Sequence, residues 1–341
     1  MTDTETIEEL RWKLSFCNEV YYKGEPIISD ADYDALFQEL KRLEENVQGP
    51  KQSEQVNKPM TAENTVWKHG VPMLSLHTEI DSSFAGFISF VRKVVEVIPT
   101  TLGEIEIEAQ LKMDGLGLNL QYVDGYLKRV LTRNDGENGE DVTHCLELFR
   151  GSIPEKIQTN HPGLKEIRGE AMISNTEFKK LNVFLESSNL ATRSNPRNAV
   201  AGLVRTKDPS RYPEVELDFF PYGYGLTQTE YGESEEDFIR FAKSNGFEVH
   251  DWFRKPYTFP LDYFSNPEKY VDWFGPYEFF KSTSELRTQG KLDYLVDGVV
   301  YKLNRFSHQH LLGFRSREPR WAIAQKFPPT SRTTRLMAVT F

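Results

Sequence analysis

The sequence has few cysteines, no long apolar run and no excess of positive charge, and each absence excludes a class of protein. Its 341 residues include two cysteines, Cys17 and Cys145. Two cysteines cannot build a disulfide framework or a four-cysteine zinc site, so we expect a reduced, cytosolic setting. No apolar run is long enough to span a membrane as a helix. No charged and then apolar leader opens the chain, so we expect no secretory signal.

The composition is otherwise that of a globular protein. Hydrophobic residues make up 38% of the chain, aromatic residues 13% and charged residues 27%. This proportion of apolar residues is sufficient to bury a core. A chain of this length is expected to form one or two domains.

The net charge of −10 argues against a nucleic-acid partner, but the charge is unevenly distributed. Residues 1–60 contain thirteen acidic and seven basic residues. Residues 302–335 contain eight basic residues and one acidic residue, and residues 191–211 contain five basic residues and one acidic residue. Because binding follows local patches of charge, the two basic segments are candidate nucleic-acid contacts. A solvated basic surface is the alternative.

Hydrophobic periodicity predicts helices first and strands later in the chain. Residues 5–22 and 30–46 have the spacing of two amphipathic helices, and the polar stretch 47–66 predicts a linker. Beyond it, apolar patterns predict strands at 105–111, 117–123, 126–132, 164–173, 217–225 and 294–303, and helices near 82–97, 176–186 and 234–244. Strands mixed with helices, without a regular βαβ repeat, indicate an α+β fold with antiparallel sheets.

Lys112 directly follows a predicted strand and opens the segment Lys112-Met113-Asp114-Gly115. A lysine is a nucleophile when it is neutral, and nearby cations or burial favour the neutral form. Asp114 and Gly115 would form the turn that presents the amine. A surface lysine in an ordinary turn is the alternative, because so short a pattern also occurs by chance.

Three further charged residues lie inside apolar segments. Glu170 is in IRGEAMI, Lys302 in VDGVVYKL and Lys326 in WAIAQKFP. Buried charges are rare unless they are paired or functional. Salt bridges or snorkelling would explain each residue by itself. Together with Lys112, the three residues predict one pocket for an anionic ligand.

These four segments, in this order, resemble the motifs of the covalent nucleotidyltransferases, which comprise DNA ligases, RNA ligases and mRNA capping enzymes. Further segments are similar to the NAD+-dependent bacterial DNA ligases: ISDADYDAL at 28–36, HGVPMLSL at 69–76, TRNDGENGEDVT at 132–143, NPRNAVAG at 195–202, VRTKDP at 204–209 and LGFRSREPRWAIAQKFP at 312–328. The resemblance covers nearly the whole chain.

The resemblance implies a division into domains. Residues 1–66 would form a helical module, with its linker, that recognises nicotinamide mononucleotide (NMN). Residues 67–328 would form an adenylation domain, an ATP-grasp-like nucleotidyltransferase core of antiparallel sheets. Residues 329–341 would be the truncated start of an oligonucleotide-binding (OB) domain. The rest of the OB domain and the family's zinc-finger and helix-hairpin-helix domains would be missing or carried by a second polypeptide.

The resemblance also implies an activity. A lysine, here Lys112, attacks NAD+, releases NMN and becomes lysyl-AMP. The AMP passes to the 5′-phosphate of a nick in double-stranded DNA, and the 3′-hydroxyl then seals the nick. Magnesium is expected from the reaction, because a metal ion would neutralise the phosphates. The expected location is the cytoplasm of a bacterium or a phage-infected host.

Individual roles follow from the resemblance. The residues implied in catalysis are Lys112, Asp114, Glu170, Lys302 and Lys326. The residues implied in binding NAD+ are Gln110, Arg133, Ser75, Leu76 and Asp297 in the core, and Tyr21, Tyr22, Asp30, Tyr33 and Asp34 in the helical module. In that module, aromatic rings and acids suit a cationic nicotinamide ring. Arg197 and Arg205 are expected to hold the nicked strand, and no cluster of metal ligands is visible.

Gln110 and Asn134 are among the positions that depart from the family's pattern. Gln110 stands where glutamate is usual, and Asn134 stands where glycine is usual. Gln110 can accept a hydrogen bond through its amide oxygen but lacks the charge. Two alternatives remain open. One is an ATP- or GTP-using RNA ligase or capping-type enzyme, which would have no use for residues 1–46. The other is a non-catalytic adaptor that binds nicked DNA or a partner subunit.

Overall fold

The computed structural model describes residues 65–328 except for 80–84, 99–102, 150, 161, 213–214, 226–231, 264, 266–274 and 316–317, together with Leu10, Leu36, Glu39 and Arg42. These last four residues are helical. The remainder of the predicted helices at 5–22 and 30–46, most of the linker and residues 329–341 lie outside the described residues. Among the described helices, none is long and apolar enough to cross a membrane.

The described residues form strands and helices in a mixed order. The strands are β1 Val66–Lys68, β2 Thr78–Glu79, β3 Glu104–Met113, β4 Leu116–Val123, β5 Tyr126–Thr132, β6 Asn138–Glu140, β7 Leu164–Met172, β8 Asp218–Tyr224, β9 Arg254–Pro260, β10 Val296–Leu303, β11 Phe314–Arg315, β12 Glu318–Pro319 and β13 Ala322–Lys326. The α-helices are α1 Ala85–Val97, α2 Asn175–Ser187, α3 Pro196–Val204, α4 Glu235–Ser244, α5 Gly275–Thr288 and α6 Phe306–Leu312. Short 3₁₀ helices cover Thr143–Phe149, Pro209–Arg211 and Asp251–Phe253.

Two larger sheets organise this part of the chain. One has the strand order β2-β13-β10-β3-β9 and the other β5-β4-β7-β8. The expected α+β class with antiparallel sheets is confirmed, apart from the short parallel pair of β2 and β13. Because β3 belongs to the first sheet and β4 to the second, the turn at Asp114 and Gly115 lies where the chain passes between the sheets.

Each sheet buries one face against helices. Ile105, Ile107, Ala109 and Leu111 alternate along β3 and pack in one apolar core with residues from α1, α5 and α6. A second core joins alternate residues of β4, such as Leu118, to residues from α2, α3 and α4. This alternation follows from the period of two in a strand. It leaves the intervening polar residues of β3 and β4 on the opposite faces.

Strand register then places the polar residues of the first sheet in rows. Lys112 of β3 pairs with Gly298 of β10, and Gly298 pairs with Lys326 of β13. In a second row, Glu108 of β3 pairs with Lys302 of β10. Residues in register on neighbouring strands lie on the same face. Residues far apart in sequence are thereby brought to one polar face.

The predicted strands are confirmed with small shifts of boundary, and so are the predicted helices at 176–186 and 234–244. The helix predicted at 82–97 is confirmed over 85–97, with its first residues outside the described part. Hydrophobic periodicity did not predict α3, α5, α6, β9 or β13.

Candidate active site

Lys112 lies at the end of β3, in the space between the polar faces of the two sheets. Its Nζ is 3.0 Å from Oδ2 of Asp297, and Nζ of Lys326 is 3.8 Å from the same oxygen. The three side chains are each between a fifth and a quarter exposed. A carboxylate is thus shared by two lysines at a solvent-accessible position.

Asp297 occupies an unusual environment for a carboxylate. Burial raises its pKa, Lys112 opposes that shift, and the nearby charge of Asp114 adds to it. Its second oxygen, Oδ1, is buried without a hydrogen-bond partner among the described residues. Asp297 therefore has a free oxygen and a raised pKa next to the candidate nucleophile, which suits it to accept a proton.

Glu170 lies on β7 in the second sheet and faces the same space. Its Oε1 accepts a hydrogen bond from the backbone nitrogen of Gly115, at 3.3 Å. Burial raises the pKa of Glu170 to about 7, although the charges of Arg197, Lys112 and Arg133 act in the opposite direction. Glu170 therefore interacts electrostatically with Lys112, although the two residues belong to different sheets.

Asp114 is fixed by Arg197, which comes from the first turn of α3. Nη1 of Arg197 is 2.6 Å from Oδ1 of Asp114. The start of α3 is set by Asn195, whose side chain accepts a hydrogen bond from the backbone of Asn198, with Pro196 at the first helical position. The cap therefore positions an arginine over the turn that follows Lys112.

Arg133 follows β5 and lies beside Gly117 of β4. A Cβ built at Gly117 would be 3.7 Å from Oε2 of Glu170, 3.8 Å from Cβ of Arg133 and 3.9 Å from the hydroxyl of Tyr222. Gly117 thus forms a flat floor bounded by an acid, a basic residue and a phenol. Asn134, next in the chain, has a φ of 47°. Asparagine tolerates this left-handed conformation, so it can replace glycine in the turn.

Gln110 is two residues before Lys112 on the same face of β3. Its Nε2 donates to Oε1 of Glu108 at 2.5 Å, and Arg254 of β9 binds both oxygens of that carboxylate. Glu108 and Arg254 are nearly fully buried, with exposed fractions of 1% and 9%. Sequence reasoning identified Gln110 but neither of these partners.

Lys302 is buried farther along the same face. Its Nζ is 2.7 Å from Oε2 of Glu235 in α4 and donates to the backbone oxygen of Tyr222 at 2.8 Å. From its apolar neighbours in the sequence, we expected Lys302 to be either paired or functional. The ion pair with Glu235 shows that it is paired. Because the two partners belong to α4 and to the second sheet, Lys302 links both to the first sheet.

Sequence reasoning missed a buried polar network beneath the loop at 70–77. Glu166 of β7 is fully buried and accepts hydrogen bonds from the backbone nitrogens of Gly70 and Val71. Burial by itself would raise the pKa of Glu166, but the hydrogen bond from Gly70, those from Gln121 and Asn119, and the charge of Arg168 lower it. The available signal was the alternation of Glu166, Arg168 and Glu170 along one strand face.

The same network holds the loop that contains Ser75 and Leu76. Arg168 donates hydrogen bonds to the backbone oxygens of Val71 and Pro72. The loop continues into β2, where Glu79 pairs with Gln325 of β13, the residue next to Lys326. Ser75 and Leu76 therefore lie on a segment tied at both ends to strands that face the site.

The remaining predicted residues are placed elsewhere or lie outside the described part. Nε of Arg205, at the end of α3, is 3.2 Å from Oε2 of Glu140 in β6. Arg205 is thus paired with an acid outside the group around Lys112. Tyr21, Tyr22, Asp30, Tyr33 and Asp34 lie outside the described residues.

Comparison with known proteins agrees with the resemblance noted in the sequence. Residues 61–330 match the family model of the NAD-dependent DNA ligase adenylation domain. Residues 1–51 match that of the DNA ligase-like, N-terminal NAD+-binding domain. Together, the two matches place most of the chain within the ligase class of proteins.

Two of the curated relatives that the chain matches are named DNA ligases. A DNA ligase of Pelobacter propionicus is 34% identical over 345 residues, which cover 98% of this chain and 46% of that protein. A DNA ligase of Pseudomonas putida is 35% identical over 347 residues, covering 100% of this chain and 42% of that protein. Among solved structures, the ATP-dependent DNA ligase from bacteriophage T7 in complex with ATP has a TM-score of 0.33 and 14% identity, covering 75% of this chain and 68% of that one.

The chain belongs to the NAD-dependent DNA ligase family, as the resemblance implied. It combines the family's adenylation domain with its N-terminal NAD+-binding domain. It spans about half the length of the curated relatives it matches. Membership of this family counts against the alternative of an RNA ligase or capping-type enzyme.

Proposed function

We propose that the chain transfers AMP from NAD+ to Lys112 and releases NMN, as the first step of sealing nicks in DNA. The observation that carries the proposal is the position of Lys112. Its amine is at a strand end between two sheets, 3.0 Å from Asp297, and a second lysine, Lys326, lies near the same carboxylate. Such a site combines a nucleophile, a proton acceptor and a cation that can face a phosphate.

In the proposed step, the lone pair of Lys112 Nζ attacks the α-phosphorus of NAD+ and forms a P–N bond. The bond between that phosphorus and the bridging oxygen breaks, and the oxygen leaves on the phosphate of NMN. The proton lost from Nζ passes to Asp297, whose raised pKa suits it to this role. Positioning and neutralisation of charge dominate such a transfer.

Charged residues around Lys112 would hold the rest of the AMP moiety. Lys326 and Arg133 would face the α-phosphate. Glu170 would accept a hydrogen bond from a ribose hydroxyl above Gly117, where the absence of a side chain leaves room. These assignments rest on the distances among the protein groups and on the resemblance of their motifs to those of the family.

The base and the second nucleotide would occupy the two ends of the site. Gln110, Ser75 and Leu76 would contact adenine, with Lys302 supporting that side through Glu235 and Tyr222. We assign the NMN half to Tyr21, Tyr22, Asp30, Tyr33 and Asp34. They belong to the part of the chain that matches the N-terminal NAD+-binding domain.

Magnesium belongs to the proposal as an ion bound mainly by the phosphates of NAD+. Among the described residues, no group of three or more His, Cys, Asp or Glu side chains is placed to hold a metal. Mg²⁺ commonly binds to substrate phosphates and water with few protein ligands, and it would neutralise phosphate charge.

Nick sealing is the further part of the proposal. Arg197 lies in the basic segment 191–211, which could contact phosphates of a nicked duplex, and Arg205 lies in the same segment. OB, zinc-finger and helix-hairpin-helix parts would come from a longer form of this polypeptide or from a second polypeptide.

We propose the cytoplasm of a bacterium or of a phage-infected host as the location. NAD+ is present there, and thiols such as that of buried Cys145 stay reduced there.

Release of NMN tests this function. The full chain is incubated with magnesium and either NAD+ or ATP, and the released NMN or pyrophosphate is quantified per protein chain. We expect about one NMN per chain with NAD+ and no pyrophosphate with ATP. Release from ATP but not from NAD+ would contradict the choice of nucleotide. No release from either would favour the adaptor alternative. A parallel assay on a 5′-labelled nicked duplex tests sealing.

A further inference from the structure

Gln110 is held by a charged clamp in which Glu108 of β3 and Arg254 of β9 take part. Arg254 is opposite Gln110 in the register of β3 and β9. Its Nε donates to Oε1 of Glu108 at 2.7 Å, and its Nη2 binds the other oxygen of Glu108 as well as Oε2 of Glu236, the latter at 2.8 Å. A guanidinium that binds both oxygens of a carboxylate fixes its plane as well as its position.

This clamp decides which way the Gln110 amide points. A carboxylate oxygen only accepts hydrogen bonds, whereas an amide has a donating nitrogen and an accepting oxygen. With Glu108 Oε1 at 2.5 Å from Gln110 Nε2, the reversed amide would place two acceptor oxygens in contact. Glu108 therefore fixes the nitrogen towards itself and turns Oε1 of Gln110 away.

The position of Gln110 gives this orientation a chemical consequence. Gln110 precedes Lys112 by two residues on the same strand face, which separates their Cα atoms by roughly 7 Å. A base that is joined through its ribose to a phosphate at Lys112 can therefore reach Gln110. Within the described ranges, no protein donor is hydrogen-bonded to Oε1 of Gln110. The oxygen is available to a ligand.

We propose that Glu108, clamped by Arg254, is a positioning residue that fixes the Gln110 amide oxygen as an acceptor and thereby selects a base with an exocyclic amine. This inference rests on the proposed transfer from NAD+. Adenine carries an amine at C6 and donates to Oε1. Hypoxanthine carries a carbonyl at C6, and its oxygen would oppose the fixed oxygen of Gln110. A neutral glutamine thereby acts as an acceptor-only group without bearing a charge.

The test compares NAD+ with nicotinamide hypoxanthine dinucleotide, which differs from NAD+ at C6 and the adjoining N1 of the purine. Intact-protein mass spectrometry follows the rate at which the full chain gains AMP or IMP at limiting dinucleotide. We expect the wild-type chain to react roughly 10- to 100-fold faster with NAD+, because one fixed hydrogen bond is exchanged for two opposed acceptors. Equal rates would overturn the inference.

Glu108→Gln tests the role of the clamp. The amide at 108 can either donate or accept, so the Gln110 amide becomes free to reverse and donate to hypoxanthine. We expect the ratio of the two rates to fall to within about threefold of unity. Glu106→Gln is the matched control. Glu106 is on the same face of β3 but bonds to Asn304 and Arg305, so the ratio should stay at the wild-type value.

A charge exchange gives a second, independent readout. In Gln110→Glu the two carboxylates repel each other, whereas in the double variant Glu108→Gln with Gln110→Glu the amide at 108 donates to a carboxylate that only accepts. We expect the double variant to regain the wild-type preference for NAD+. An unchanged ratio in Glu108→Gln, or a double variant without preference, would overturn the inference. If wild-type protein gains no AMP from NAD+, the proposed function itself fails, which distinguishes the two failures.

Discussion

Nζ of Lys112 and Oδ2 of Asp297 lie 3.0 Å apart although the residues are 185 positions apart in the chain. The antiparallel register of β3 and β10 creates this contact, because Gly298, next to Asp297, is opposite Lys112. A bulge between Val296 and Gly298 places Asp297 outside the regular pairing. Bulges redirect side chains near functional sites, and here the redirected side chain is the proposed proton acceptor.

Replacing this acceptor should slow the transfer of AMP. Asp297→Asn retains the shape of the side chain but cannot take the proton from Lys112, so we expect the rate with NAD+ to fall roughly 100-fold. Single-turnover mass spectrometry of the adenylated chain measures it. Asp293→Asn, at an exposed position just before β10, should react at the wild-type rate. A wild-type rate in Asp297→Asn would exclude the proposed proton transfer.

The raised pKa of Glu170 predicts a specific dependence of stability on pH. An ordinary glutamate has a pKa near 4.5, and Glu170 has one of about 7. Between these values the folded chain keeps a proton that the unfolded chain has lost, so stability falls as pH rises through this window. The loss is at most about 3 kcal/mol.

Glu170→Gln isolates this effect. The variant cannot titrate at position 170, so its free energy of unfolding should rise relative to that of wild type between pH 4.5 and pH 8. Urea unfolding at several pH values measures the difference, and exposed Glu147→Gln serves as the control that keeps the wild-type slope. Parallel profiles for Glu170→Gln and wild type would show that Glu170 titrates normally.

Gly115 should be intolerant of any side chain. A Cβ at this position would overlap the backbone oxygen of Ala171 and Sδ of Met172. We expect Gly115→Ala to lower the free energy of unfolding by about 2–3 kcal/mol and to slow adenylation, because it moves the turn after Lys112. Gly223→Ala, where nothing lies within 4 Å of the new Cβ, should stay within about 0.5 kcal/mol of wild type. Chemical denaturation compares the two, and equal effects would contradict the steric argument.

Glu166 should matter for both stability and binding. Removing it in Glu166→Ala leaves Arg168 without its carboxylate neighbour in a largely buried setting, which costs about 3–5 kcal/mol. The loop at 70–77 also loses two backbone hydrogen bonds. We therefore expect a higher concentration of NAD+ for half-maximal adenylation. Thermal unfolding and an NAD+ titration measure the two effects, with exposed Glu186→Ala as the control. If folded Glu166→Ala needs no more NAD+ than wild type, the loop at 70–77 does not contribute to nucleotide binding.

Sequence patterns predicted the strands with clear alternation and the turns that bound them. Both ends of the strand Tyr126–Thr132 were predicted correctly, because the Asp124-Gly125 turn precedes it and its sequence, YLKRVLT, is rich in residues that favour strands. Strand β9 was missed because Pro256 and Pro260 interrupt its pattern. Proline is tolerated there because β9 is at the edge of the sheet.

Part of the candidate site was predictable, because charged residues stand out in apolar segments of the sequence. Lys112, Glu170 and Lys326 were identified as charges at strand ends or inside apolar segments, and the structure brings them to one space. The pairs Lys302 with Glu235 and Glu108 with Arg254 were not predictable. Their contacts depend on the register of distant strands and on where α4 packs, and a local pattern contains neither.

The most direct test of the central proposal is to locate the adenylate. Purified chain is incubated with magnesium and NAD+, then measured by intact-protein and peptide mass spectrometry. Lys112→Ala and Lys128→Ala, which alters an exposed lysine on β5, are measured in parallel. We expect one AMP per chain on the peptide that contains Lys112, its loss in Lys112→Ala and its retention in Lys128→Ala. AMP on another residue, or adenylation that persists in Lys112→Ala, would contradict the account.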